Sequence, residues 1–316
     1  MPIPRDKTPV VDFYPDVPEA EIADLMHGAV DLHCHSGPSV MPRCLNHLEA
    51  IRDAEAAGMH AILFKDHYYS VTPVVALLKE ISDIHITMFT GVPLNNSTGG
   101  LNPYAVEHGL QLGARMVWMP TFSAANHIRQ GHRHTILPTK SRMLPPTGIT
   151  IVSDRGELKD EVKQILDLIA AHDAVLSGGH LHISEMWPLF EEARARGVKR
   201  MLVNHPTFAI DASVADIREL AQMGVWIEHS FCMFINEAYS KFFTGEDLKA
   251  LITAAGVDRT ILGSDLGQIN NPRPVASFRS VILLLLGIGY GKEDIRKLIS
   301  LNACTLMGIA PPAVRS

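Results

Sequence analysis

Two histidines separated by one residue, in Val30-Asp31-Leu32-His33-Cys34-His35, are the first side chains here whose type and spacing can do chemistry. In an extended strand residues i and i+2 face the same side, so both imidazoles can share one cation. Metal-competent side chains recur much later, in Gly179-His180-Leu181-His182, Asn204-His205-Pro206 and Gly263-Ser264-Asp265. Neutral imidazoles with one carboxylate suit Zn²⁺ or a similar borderline metal and leave a position for water. The 16 histidines in 316 residues are the one outlier of composition. A lone histidine is more often a hydrogen-bonded structural side chain than a ligand. The set matters only if the fold brings its members together.

Convergence requires elements that end on a common rim. Short apolar, β-branched runs alternate with amphipathic stretches almost throughout, and the pattern predicts strands at 29–33, 60–65, 85–91, 115–119, 174–178, 200–204, 224–228 and 260–263. Helical patterns cover 45–57, 73–81, 103–112, 158–172, 185–196, 214–223 and 245–255. Several end in glycine, which takes the left-handed cap conformation without steric cost. Strands alternating with helices imply a parallel sheet with right-handed crossovers. Eight such units fit a closed (β/α)8 TIM barrel; a distorted seven-stranded barrel would read much the same. In a closed barrel all the carboxyl ends of the strands meet on one rim. Strands one, five, six and eight each end there in a metal-competent side chain.

The expected organisation is an N-terminal arm over residues 1–28, lying on the barrel or a neighbouring subunit, and a barrel over 29–316 with no β-sandwich domain. About 50 residues separate strands four and five; 122–146 shows little periodicity, and 122–150 is expected to form a lid-like insertion. The insertion carries His127, Arg129, His132, Arg133, His134, Lys140 and Arg142, of which His127 and Arg129 are candidate substrate contacts. The bland alternative is a solvated surface excursion.

A net charge of −6 gives no reason to expect nucleic acid or an acidic membrane as partner. The four cysteines, Cys34, Cys44, Cys232 and Cys304, form no CxxC pair and read as reduced thiols in the cytoplasm. The N-terminus shows no apolar signal region, and the apolar run 281–286 is too short to span a membrane. The expected partner is a small molecule; barrels of this type often associate as homo-oligomers.

The ordered set of HxH on strand one, His on strand five, His on strand six and Asp on strand eight resembles the metal-site pattern of the amidohydrolase superfamily. Gly289-Tyr290-Gly291-Lys292-Glu293-Asp294-Ile295, followed by Asn302-Ala303-Cys304, looks like that family's closing helix and Asn-Pro-Ala segment, with Ala303 where Pro is usual. The resemblance spans residues 29–310. It implies His33, His35, His180, His205 and Asp265 as the ligand set, with His182 as the alternative to His180. It further implies a metal-dependent hydrolase of a C–N or C–O bond in an amide, lactam, lactone or amino-substituted ring. The metal would be zinc, with manganese or iron as alternatives, and Asp265 would serve as general base and then general acid. Strands three and four end without the lysine or glutamate that bridges two metals, which favours one ion.

Three features depart from that pattern. Lys65 and His67 share a face at the end of strand two. Lys65 reads as a clamp on the substrate or as a carbamylated bridge, and His67 as a polariser of the scissile group; a solvated lysine beside an outer histidine is the plain alternative. Glu228 and His229 face opposite sides of strand seven, so one enters the site, and His229 is preferred as a catalytic residue. His182 is a candidate substrate contact. The basic insertion together with Lys65 hints at an anionic substrate. Competing readings are a metal-dependent decarboxylase of the same superfamily, a non-catalytic metal-binding barrel, and a PHP-type phosphoesterase. The last is suggested by Lys65-Asp66-His67, but Gly267 stands where it would have histidine.

Overall fold

The alternating pattern becomes eight parallel strands, each paired with its neighbour in sequence: β1 (Val30–Cys34), β2 (Ala61–Phe64), β3 (Thr87–Pro93), β4 (Met116–Trp118), β5 (Val175–Ser177), β6 (Arg200–Asn204), β7 (Trp226–Ser230) and β8 (Thr260–Gly263). These belong to a computed structural model that describes residues 10–131, 139 and 141–313. The helices α1 (Glu19–Met26), α2 (His47–Ala56), α3 (Thr72–Ile81), α4 (Pro103–Gln111), α5 (Ala125–Gln130), α6 (Asp160–Ala171), α7 (Ile183–Ala195), α8 (Val214–Met223), α9 (Gly245–Ala255) and α10 (Pro274–Gly287) alternate with the strands. The short helices α11 (Lys292–Arg296) and α12 (Asn302–Met307) end the fold. Capping boxes at Asn46, Ser213 and Thr244 start α2, α8 and α9 by satisfying their first free N–H groups. The architecture is a (β/α)8 TIM barrel, and the described residues contain no sandwich domain. Among them, no helix is long and apolar enough to cross a membrane.

Side-chain alternation along the strands builds two apolar layers. Val30, Leu32, Leu63, Trp118, Leu202 and Trp226 fill the barrel interior, while Ile62, Phe64, Val117, Leu176 and Val203 pack outward against the helices. Helix α12 closes the lower end with Ala303, Leu306 and Met307. Arg200 donates to the carbonyls of Thr305 and Leu306, and Arg115 to that of Met307.

The barrel closes between its first and last strands. Asp265 N–H donates to His33 O at 2.8 Å, and His35 N–H to Leu266 O at 2.8 Å. Asp31 Oδ1 ties the seam, accepting from the backbone N–H of His33 and of Ser264 at 3.0 Å each. At this point β1 is bulged. Asp31 pairs with Ile62 and Cys34 with Phe64, so two residues on β1 face one on β2. Leu32 and His33 therefore both turn inward, and His35 follows inward. In a regular strand His33 and His35 would share the outward face with Asp31.

The described part of the N-terminal arm lies on its own barrel. Asp12 exchanges backbone bonds with the Asn236 side chain, accepts from Gly245 N–H at the start of α9, and pairs with Lys241. Tyr14 Oη accepts from Asn236 N–H at 2.9 Å. The segment so held includes Met233, Tyr239 and Phe242, which wall the cavity described below.

Asn302 joins the closing segment to the barrel by donating to Val257 O and Thr260 O, at 2.7 Å each. Asn302→Ala removes both hydrogen bonds and should lower the unfolding free energy by about 2 kcal/mol. A urea titration reads this as a lower midpoint with unchanged slope; an unmoved midpoint would deny Asn302 this role.

Candidate metal centre

On the carboxyl-terminal rim the strand ends enclose a cavity of about 310 Å³ whose wall includes His33, Lys65, His67, His180, His205 and Asp265. His33, His205 and Asp265 each present one ligand atom, and these atoms lie within 4.8 Å of one another. Asp265 Oδ1 stands 3.2 Å from His33 Nε2 and 3.1 Å from His35 Nε2. Two atoms each about 2.1 Å from one tetrahedral ion are roughly 3.4 Å apart, so the spacing is close to that of ligands on a shared cation.

Burial sets the charge of these groups. Desolvation lowers His33 to about 3, and His35 and His205 to about 4. It pulls His67 and His180 well below the usual imidazole range. All are neutral at pH 7, with lone pairs to offer. Burial alone would raise the Asp265 carboxyl, but the adjoining His33, His35 and His205 together hold it well below the usual carboxylate range. His180 Nε2 and His205 Nδ1 are buried with no hydrogen-bond partner, which is rare for polar atoms unless something else occupies them. Neutral nitrogen donors, one ionised carboxylate and orphaned imidazole nitrogens fit a borderline divalent cation.

Neighbours fix the tautomers. His33 Nδ1 lies 2.6 Å from Glu228 Oε1, whose other oxygen accepts from Asn204 Nδ2 at 2.8 Å. A proton on His33 Nδ1 leaves the Nε2 lone pair facing the site. His35 Nδ1 donates to Lys65 O at 2.8 Å, with the same result. His180 Nδ1 meets His127 Nδ1 at 2.9 Å, and donation from His180 frees its Nε2. Asn95 is oriented by accepting from Thr121 N–H and Ser123 N–H at Oδ1; its Nδ2 therefore donates to Thr121 Oγ1. The Thr121 hydroxyl proton is then free for His67 Nδ1, 2.9 Å away, which leaves Nε2 as the protonated nitrogen of His67. Phe122 stacks on the His67 ring at 3.7 Å and holds its plane.

Backbone conformation places the last ligands. The inward residues of β6 are Leu202 and Asn204, so His205 would face outward in a continuing strand. Its left-handed φ of 33° turns it into the cavity, and its N–H is anchored to Glu228 O at 2.7 Å. Asp265 also has a left-handed φ, 51°. Such strain is held only where surrounding structure over-determines it. Gly263 leaves the room that Glu228 and His33 share: a Cβ there would stand 2.9 Å from Glu228 Cδ and His33 Cβ.

With this geometry in view, comparison with known proteins is informative. Residues 28–228 match the family model described as "Family of unknown function (DUF6282)". The chain belongs to this family. No curated protein matches the sequence. Among solved structures it is similar to an amidohydrolase from Pseudomonas aeruginosa, with 14% identity, a TM-score of 0.63 and coverage of 92% of this chain and 98% of that one. It is also similar to N-acetylglucosamine-6-phosphate deacetylase from Thermotoga maritima, with 15% identity, TM-score 0.53 and coverage of 90% and 78%. A third likeness is to a dihydroxybenzoic acid decarboxylase from a Polaromonas species, crystallised with manganese and an inhibitor, at 11% identity, TM-score 0.51 and coverage of 89% and 97%. At these identities the likeness establishes the fold alone, a barrel shared with those proteins.

In this DUF6282 chain several expected residues lie elsewhere. Glu228, not His229, faces the barrel interior, because Trp226 points inward and alternation brings Glu228 to the same face. His229 is buried on the other face without a hydrogen-bond partner, and desolvation lowers it to about 3. His182 is the N-cap of α7, accepting from Ser184 N–H at 3.2 Å, and does not line the cavity. Arg129 is exposed and donates to Asn126 Oδ1 at 2.7 Å. His127 contacts His180 rather than the cavity. His132, Arg133, His134 and Lys140 fall outside the described residues. Lys65 and His67 do line the cavity, with Lys65 Nζ 3.0 Å from His33 Nε2. Two residues that sequence reasoning did not select stand at the site: Glu228, which is buried, and Arg43, whose side chain is almost covered.

Glu228→Gln should weaken divalent-metal affinity by roughly 10–100-fold, since the carboxylate that orients His33 is lost. His182→Ala should leave metal affinity unchanged and remove about 1 kcal/mol of stability with the cap. Metal titration and thermal melting of both variants check the pair; equal metal affinity in Glu228→Gln and wild type would remove Glu228 from the site.

Proposed function

We propose that this chain is a metal-dependent hydrolase acting on a C–N or C–O bond of a small molecule, with Asp265 as the proton-transferring group. The observation that carries the reading is the approach of His33, His205 and Asp265 ligand atoms to within 4.8 Å beside a cavity of substrate size. His33, His35, His180, His205 and Asp265 would hold one ion, Zn²⁺ with Mn²⁺ or Fe²⁺ as alternatives. A bound ion supplies Lewis acidity, which polarises a carbonyl and makes water more acidic. Asp265, kept ionised, takes the proton of the attacking water and returns it to the leaving nitrogen or oxygen. His67, with its proton on Nε2 and its plane fixed by Phe122, donates to the substrate carbonyl as negative charge develops there. Lys65 stands at the same wall as a further polar contact. The four cysteines are free thiols, which fits a cytoplasmic enzyme.

Decarboxylation by the same residues is the second reading, favoured by aromatic walls at Phe122, Phe208 and Phe242 that suit an aromatic acid. The phosphoesterase reading loses ground at Gly267. Its φ is 119°, and a Cβ there would lie 1.4 Å from His35 O, so no histidine can stand two residues after Asp265.

Removal of metal with a chelator should abolish turnover of amides and lactones, and Zn²⁺ or Mn²⁺ should restore it. Asp265→Asn should reduce turnover by roughly 10²–10⁴-fold with the fold intact. Oxygen from labelled water in the product identifies hydrolysis, whereas release of CO₂ without water uptake identifies the lyase; an Asn variant with wild-type turnover would end the role of Asp265. Thr121→Val removes the proton donor to His67 Nδ1 and should slow turnover roughly 10²-fold at unchanged metal content. Steady-state rates beside metal analysis test this, and an unaffected rate would exclude His67 as the polarising donor.

A further inference from the structure

Arg43 lies between β1 and α2, where its backbone bridges that of Gln268 across the barrel mouth. Its side chain is 3% exposed and contributes to the cavity wall together with His33, Lys65 and Asp265. A guanidinium keeps its charge in a protein and offers five N–H donors in a planar fork. Here those donors are almost unused. Nε and Nη1 have no acceptor. Nη2 is 3.5 Å from Asp66 Oδ2, longer than the roughly 2.7–2.9 Å of a charge-assisted hydrogen bond. Nη2 is also 3.5 Å from His35 Nδ1, but that nitrogen already carries the proton it gives to Lys65 O, so two donors face each other. The remaining neighbour is the Met41 sulfur, a weak acceptor at 4.0 Å.

A buried cation with its hydrogen-bonding capacity unspent is a site for an anion. We infer that Arg43 binds a carboxylate of the substrate, and that the substrate is an organic carboxylate with an apolar body. The apolar part follows from the apolar share of the wall, Phe122, Phe208, Phe242, Met41, Met233 and Ile269, which lies beside the polar Ser240, Gln268, Asn270 and Asn271. Such a lining suits a ring or branched hydrocarbon and not a phosphate or a sugar. Met41 is the flexible part of the wall next to the guanidinium, and its side chain moves aside for the carboxylate. A planar carboxylate matches the guanidinium fork with two parallel hydrogen bonds.

The inference rests on the reading of this cavity as the substrate site, and equilibrium binding separates the two. Calorimetry of the metal-loaded protein with benzoate, benzamide and inorganic phosphate is the test, with metal content measured on each sample. Benzoate should bind about ten-fold more tightly than benzamide, its neutral isostere, and more tightly than phosphate. Arg43→Met should erase the preference at unchanged metal content, and Arg43→Lys should keep part of it. Equal binding of benzoate and benzamide, tighter binding of phosphate, or a preference that survives in Arg43→Met would overturn the assignment. If Arg43→Met does not fold, the wild-type comparison and Arg43→Lys decide, since full preference in the lysine variant would reject the bidentate fork. A protein that selects benzoate but holds no metal would instead sink the hydrolase reading and leave Arg43 as an anion site.

Discussion

Closure of the barrel between its first and last strands is the constraint on which the candidate site depends. Residues 232 apart in sequence, His33 and Asp265, are brought side by side by the backbone bond that seals the seam. The Asp31 carboxylate reinforces it with bonds to His33 N–H and Ser264 N–H. Burial raises that carboxyl to about 6, so folding works against its charge to keep the seam in place. Once the seam is fixed, Glu228 on β7 and Lys65, the residue after β2, reach His33 from either side, at 2.6 and 3.0 Å. Ligand geometry and barrel closure are therefore one structural event.

Much of this was legible in the amino-acid order. Alternating apolar runs and amphipathic stretches gave eight strands within a few residues of their positions, and the glycines and capping residues marked helix ends. His33, His35, His180, His205 and Asp265 do converge on one rim. Simple alternation, however, does not by itself account for the HxH pairing. The inward turn of both histidines depends on a bulge between Asp31 and Cys34, which no local residue pattern announces. His205 likewise reaches the cavity through a left-handed backbone that a strand-end position does not reveal. At β7 alternation left two choices, and Trp226 was the available signal: an inward aromatic puts Glu228, not His229, on the cavity side.

His182 illustrates a different limit. Same-face spacing with His180 holds only while the strand continues, and β5 ends at Ser177. Beyond it the chain turns, and His182 becomes a helix cap. Arg43 was invisible for the opposite reason. Nothing in Met41-Pro42-Arg43-Cys44 marks a buried cation, and its importance lies in acceptors it lacks. The fold is shared by hydrolases and a decarboxylase among the solved relatives, so the chemistry of this chain lies in such individual side chains rather than in the barrel.

The packed barrel interior and the plug formed by α12 have a consequence for traffic. Beneath the cavity Leu32, Leu63, Trp118 and Leu202 fill the axis, and Leu306 and Met307 stop its lower end. Among the described residues this leaves the opening at the top, bordered by the segment that Asp12 holds down. On the hydrolase reading proposed above, spent product would have to vacate before fresh reactant enters, and a slow exit would throttle every cycle however fast the bond itself is broken.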